Sequence, residues 1–185
     1  MSWLRDRGEK GASLVETSLV LPLLLMLAIG GAEVGFMVID YMTISNAARE
    51  GARTGAAAAD YVGPGGVDAD DLIVEAVEQV ACNLRYSTLE RVAIYKADEN
   101  GNPIDPTNLL NEYTGSVDCS TGSTGLSCAN GCPWAPASRY RGMPEPDKVG
   151  VEVVFRHEPV VGFLPFPTVT FRESAVMRLE PDTRG

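Results

Sequence analysis

Residues 12–41 read ASLVETSLVLPLLLMLAIGGAEVGFMVIDY, and this stretch decides the fold. Sixteen residues pass without a charge from Thr17 to Ala32, and of the 23 between Glu16 and Asp40 only Glu33 is charged. As a helix rising 1.5 Å per residue those 23 residues cover about 35 Å. A hydrocarbon layer is ~30 Å thick, so the segment spans it with some tilt. Such a helix is apolar on every side, and the roughly 140 residues left over make a domain too small to bury it. The stretch therefore reads as a transmembrane helix. A cleavable secretory signal with a small-residue site near Gly30-Gly31-Ala32 is the competing reading. Glu16 and Pro22 inside the apolar region oppose it, as does the continued apolarity from Gly35 to Ile39.

The flanks orient the helix. Residues 1–11, MSWLRDRGEKG, carry Arg5, Arg7 and Lys10, whereas beyond Tyr41 there are 20 acids against 12 bases. The positive-inside rule keeps the short N-terminus in the cytoplasm and sends the rest out, giving a single-pass membrane protein. The acidic outer surface repels phosphate backbones and excludes nucleic acid as a partner. A single His removes most metal and catalytic-triad arrangements. No catalytic residue, metal or cofactor is assigned, and the chain is not expected to be an enzyme.

A carboxylate at position 16 costs a few kcal/mol near a bilayer centre and less near an interface. It either snorkels to the interface or finds a compensating positive charge. Five blocks around it occur in order: Arg7-Gly8, Gly11-Ala12-Ser13-Leu14-Val15-Glu16, Leu21-Pro22-Leu23-Leu24, Glu33-Val34-Gly35, and Asn46 through Arg53 (NAAREGAR). Together they resemble the TadE-like family, minor pilins or pseudopilins of the tight-adherence (Tad/Flp) branch of type IV pili. Thr17 stands where that family often has an aromatic residue. The resemblance implies cleavage by a prepilin peptidase between Gly11 and Ala12, with Glu16 then the fifth residue. The new amine of Ala12 cannot easily meet its own Glu16 once both are helical. The amine of a subunit staggered by about one turn can, and that pair would neutralise the buried charge and set register. The resemblance further implies insertion in the bacterial inner membrane, other pilins, pseudopilins and the Tad secretion machinery as partners, and a role in pilus assembly and surface adherence.

Past the bilayer the helical pattern continues. Val34, Val38, Tyr41, Ile44, Ala48 and Ala52 recur at three- and four-residue steps, a stripe narrowing to small side chains that suits close packing on neighbouring subunits or on the protein's own domain. Gly30, Gly31 and Gly35 suit helix packing in the membrane. The helix is expected to end in the alanine run before Tyr61-Val62-Gly63-Pro64-Gly65-Gly66. Asp68, Asp70 and Asp71 cap a second helix, whose apolar face is Ile73, Val77, Val80 and Leu84. Residues 91–95 form a strand with hairpin turn chemistry at 98–102. From Asn102 to Asp147 the chain reads as a long loop held by disulfides among Cys82, Cys119, Cys128 and Cys132. Four cysteines allow three pairings, with a bridge from Cys82 into the loop preferred; zinc is the alternative use. Val149, Val151, Val153 and Phe155 alternate as a strand, as do Val169, Phe171, Ala175, Met177 and Leu179. Between them PVVGFLPFP, residues 159–167, packs under the sheet or forms a tip touching membrane or another pilin.

The expected fold is α+β: a cytoplasmic leader (1–11), a transmembrane and extended helix (12–58), and a small pilin-like periplasmic domain (59–185) with a short antiparallel sheet and a disulfide-stapled loop. A membrane-anchored or secreted binding module is the alternative function, with Trp134, Arg139 and Tyr140 as ligand contacts. His157-Glu158 resembles the start of a zinc-protease motif, but no second His completes it.

Overall fold

The computed structural model describes residues 5–115, 117, 125–160 and 167–181, with residues 5–10 and 12 described by their backbone course alone. Helix α1 runs from Arg5 to Ala58, about 81 Å at the standard rise. From Ser13 to Ala28 the side chains of this helix are exposed, and from Glu33 onward one face is buried. The helix stops where Ala59 takes a left-handed φ of 44°. That conformation is unfavourable for a residue with a Cβ, and it is held because Ala59 is fully buried and its carbonyl accepts from Arg139 Nη1 at 3.2 Å.

Helix α2 (Ala69–Ala81) follows a proline-glycine turn. Its start is a capping box: the Asp68 carboxylate accepts the backbone N–H groups of Asp70 and Asp71, and the Asp71 side chain accepts that of Asp68. These bonds satisfy donors that no helical carbonyl reaches. Ile73, Val74, Val77 and Ala81 turn inward, while Leu84 lies past the helix end against the same core.

The sheet has five antiparallel strands in the order β3-β2-β1-β4-β5: β1 (Ser87–Lys96), β2 (Leu110–Gly115), β3 (Leu126–Cys128), β4 (Lys148–His157) and β5 (Val169–Arg178). The chain is thus α+β, a long apolar N-terminal helix followed by a small antiparallel sheet. Residues 102–147 are not one loop, because β2 and β3 lie inside them. Both strands are short, and β2 (LNEYTG) is polar enough to read as loop; it is recruited by pairing with β1, Val92 facing Tyr113. The outer half of α1 lies across β4, β5 and α2. Gly51 and Gly55 make this approach close: a Cβ on Gly51 would sit 2.6 Å from Val77 Cγ2, and one on Gly55 2.9 Å from Ile73 Cδ1. Val149, Val151, Val153 and Phe155 fill the space beneath, and Phe155 stacks on Phe171 with centroids 5.1 Å apart.

Cys128 and Cys132 form a disulfide. Cys82, at the C-cap of α2, is disulfide-bonded as well, and Cys119 lies outside the described residues.

Candidate functional site

The sequence singled out the lower part of α1, and the structure leaves that part bare. Among the described residues one helix is long and apolar enough to cross a membrane, the portion of α1 beginning at Ser13. Glu16 is exposed on it, and space around the backbone of Gly11 is open. The nearby hydroxyls are satisfied within the helix, Thr17 Oγ1 donating to the Ser13 carbonyl and Ser18 Oγ to that of Val15, both at 2.8 Å. They therefore add little to the cost of entering lipid. Pro22 sits within α1 without ending it. Gly30 is half-buried, whereas Gly31 and Gly35 face open space. Ala48 and Ala52 belong to the core cluster of the chain's own domain.

Of the apolar stripe read from the sequence, Ile44, Ala48 and Ala52 dock on the chain's own domain, whereas its lower part does not. Val34 and Val38 are exposed, and the buried positions at the same level are Glu33 and Asp40. Both carboxylates meet the single histidine, at the end of β4. His157 Nε2 is 3.3 Å from Glu33 Oε1 and Nδ1 is 3.4 Å from Asp40 Oδ2. Ser87, opening β1, donates to Asp40 Oδ2 at 2.6 Å, and its oxygen lies 3.1 Å from His157 Nδ1. The Val160 N–H donates to Glu33 Oε1 at 2.9 Å. His157 is fully buried, and Glu33 and Asp40 are each 2% exposed. Only a doubly protonated imidazole can donate to both carboxylates at once; a neutral ring serves one. This cluster ties the helix to β1, β4 and the β4–β5 connector at the level where the helix leaves its bare region.

A Ser, a His and an Asp together invite comparison with a hydrolase. The geometry differs from that template. Ser87 and Asp40 crowd the same ring nitrogen, Ser87 gives its proton to the Asp, and the opposite nitrogen faces a second carboxylate. A nucleophile–base pair needs the Ser and the orienting acid on opposite ring nitrogens with the Ser reachable by substrate. The cluster is built to hold elements together.

A second buried network secures the far side of the domain. Arg139 pairs with Asp70 and lies over the Trp134 ring, 4.4 Å from its centroid. Asn111 Nδ2 donates to Asp70 at 2.6 Å, and Tyr113 Oη to the same oxygen at 3.1 Å. Burial, then the neighbouring Asp70 charge, pushes the Tyr113 phenol well above its ordinary value. Trp134 and Arg139, considered above as ligand contacts, are buried in this network, 1% and 4% exposed; Tyr140 alone of the three is exposed. Of the connector between β4 and β5, Val160 and Pro167 are exposed, and residues 161–166 lie outside the described residues.

Sequence reasoning missed the Glu33–Asp40–His157 cluster. Its members are 117 and 124 residues apart, and the only local signal is a pair of acids seven residues apart in an otherwise apolar helix.

Residues 11–53 match the family model described as TadE-like protein, the family that the sequence resembles. The match takes in the bare helix, Glu16, Glu33 and Asp40, about a quarter of the chain. The comparisons with curated proteins and with solved structures returned no match.

Proposed function

We propose that this chain is a minor pilin or pseudopilin of a Tad/Flp-type pilus, a structural subunit and not an enzyme. In this reading residues 1–11 are a cytoplasmic leader, residues 12–58 are the transmembrane and assembly helix, and residues 59–185 form the periplasmic domain. Prepilin peptidase removes the leader after Gly11. Glu16 then pairs with the Ala12 amine of a neighbouring subunit as the helix enters the bundle. Neighbours use the free face of α1, where Gly31, Gly35, Val38 and Met42 recur at helical steps and are exposed.

One observation carries the reading: the segment matching the TadE-like model coincides with a helix whose side chains are all exposed from Ser13 to Ala28. The match supports a place in a Tad pilus system, and the bare helix supports a single membrane pass. Exchange of Glu16 for Gln or Ala should leave membrane insertion intact and sharply reduce pilus assembly. Peptide mapping of assembled material should find Ala12 as the first residue. Normal piliation in the Glu16 variants, or a finished appendage still carrying residues 1–11, overturns the proposal.

A further inference from the structure

We propose that the domain rests on the lipid surface through a phospholipid-headgroup site formed by Phe36, Ile39, Arg85 and Tyr86. The argument is one of depth, and it rests on the membrane-spanning reading of α1. Ser13 to Ala32 is 20 residues, about 30 Å of helix, which matches the hydrocarbon thickness. The headgroup layer adds about 5–8 Å on each side, or the next three to five helical residues. That places Glu33 to Met37 among the headgroups.

At this level two pieces of the domain are fixed to the helix. The Val160 N–H is bonded to Glu33, and the Tyr86 ring packs on Phe36 with centroids 4.8 Å apart. Tyr86 and Val160 are therefore carried at headgroup depth by direct contact with α1. Between α1 and the Arg85-Tyr86 segment lies a cleft of about 270 Å³ lined by Phe36, Ile39, Asp40, Arg85 and Tyr86. Its walls are mostly apolar. Arg85 is exposed and makes no ion pair among the described residues, in a chain of net charge −10. An unpaired guanidinium at a lipid interface suits a phosphodiester, which it can bind through two parallel N–H donors. A tyrosine beside it, its ring packed on Phe36, suits the same layer. The occupant is thus a phospholipid, its phosphate on Arg85 and its glycerol and ester groups against Phe36 and Tyr86.

The test is fluorescence quenching in the full chain, in vesicles of phosphatidylcholine with a minority of phosphatidylglycerol. The phosphatidylcholine is brominated high on the acyl chain or left unbrominated. Trp3→Phe serves as background, leaving buried Trp134 as an internal reference. Tyr86→Trp in that background should add emission that brominated lipid quenches several-fold more than it quenches the reference. Adding Arg85→Glu should remove most of that excess. A Leu24→Trp reporter checks insertion separately. If it is quenched while Tyr86→Trp is not, the headgroup site is wrong and the membrane helix stands; if neither is quenched, the membrane reading has failed first. Unchanged quenching with Arg85→Glu overturns the phosphate contact. Emission from Tyr86→Trp that is shielded from bromine only at high protein-to-lipid ratio identifies a second copy as the occupant, which also overturns the proposal.

Discussion

Removing the imidazole by His157→Ala should be among the most damaging single changes in the chain. Two carboxylates, Glu33 and Asp40, would be left buried without their positive or donating partner. Breaking a buried ion pair from one side costs about 3–5 kcal/mol, because the remaining charge is uncompensated. Each carboxylate here keeps one other donor, Val160 N–H for Glu33 and Ser87 Oγ for Asp40, which places the loss near the lower end, about 3 kcal/mol. For a chain of this size that lowers the melting temperature by roughly 6–12 °C. The assay is thermal and denaturant unfolding of the full chain in detergent, followed by circular dichroism. A double-mutant cycle isolates the contact. With Glu33→Gln already in place, His157→Ala should cost about 1 kcal/mol less than it does alone, since one orphaned charge has been removed. A cost below about 1 kcal/mol for His157→Ala, or additivity within about 0.5 kcal/mol, would refute the cluster as a junction between helix and sheet.

Three further changes probe other parts of the chain. Glu78 is 5% exposed and its Oε1 lacks a hydrogen-bond partner among the described residues. Burial raises its carboxyl above the ordinary range, against a hydrogen bond from the Leu126 backbone that lowers it. A raised carboxyl means that the folded state holds its proton more tightly, so ionised Glu78 weakens the fold as pH rises through the folded-state value. Glu78→Gln should therefore be nearly neutral in melts at pH 4 and stabilising by about 1 kcal/mol at pH 7.5; an equal effect at both pH values contradicts this. At the helix–domain contact, Gly51→Val should cost about 1–3 kcal/mol by overpacking against Val77 and Val151. Gly35→Ala, with nothing within 4 Å, should leave the melting temperature unchanged or slightly higher, and a drop of several degrees there shows that the free face is not free.

What could be read from the sequence was whatever depends on near neighbours along the chain. The apolar helix announces itself by length and missing charge. The cap of α2 needs only Asp68 and Asp71, three residues apart. The β4 and β5 strands show their buried parity within ten residues each. The rest depends on contacts that no window contains. β2 and β3 have six and three residues, too few to display a period. The upper docking face of α1, Ile44, Ala48 and Ala52, was legible; its lower continuation was not, because hydrophobicity alone cannot separate a lipid-facing apolar surface from a core-facing one. Val34 and Val38 satisfy a helical stripe, yet Glu33 and Asp40 face the domain. Their burial becomes tolerable only once His157, Ser87 and the Val160 N–H are in place.

The position of that cluster links the fold to assembly. Below it the side chains of α1 are exposed from Ser13 to Ala28; above it one side of the helix is committed to the sheet and to α2, with Gly51 and Gly55 permitting contact closer than any side chain would allow. Helix and domain are then joined at two separated levels, and a helix pinned at two points cannot roll about its axis without breaking one of them. The face left over is set by subtraction. Gly31, Gly35, Val38 and Met42 lie opposite Glu33, Asp40 and Ile44, and they continue the exposed surface of the lower helix upward. Any neighbour that packs along α1 above the bilayer must approach from that side. By tying α1 to β1, β4 and the β4–β5 connector, the cluster decides which side of the helix the domain does not cover.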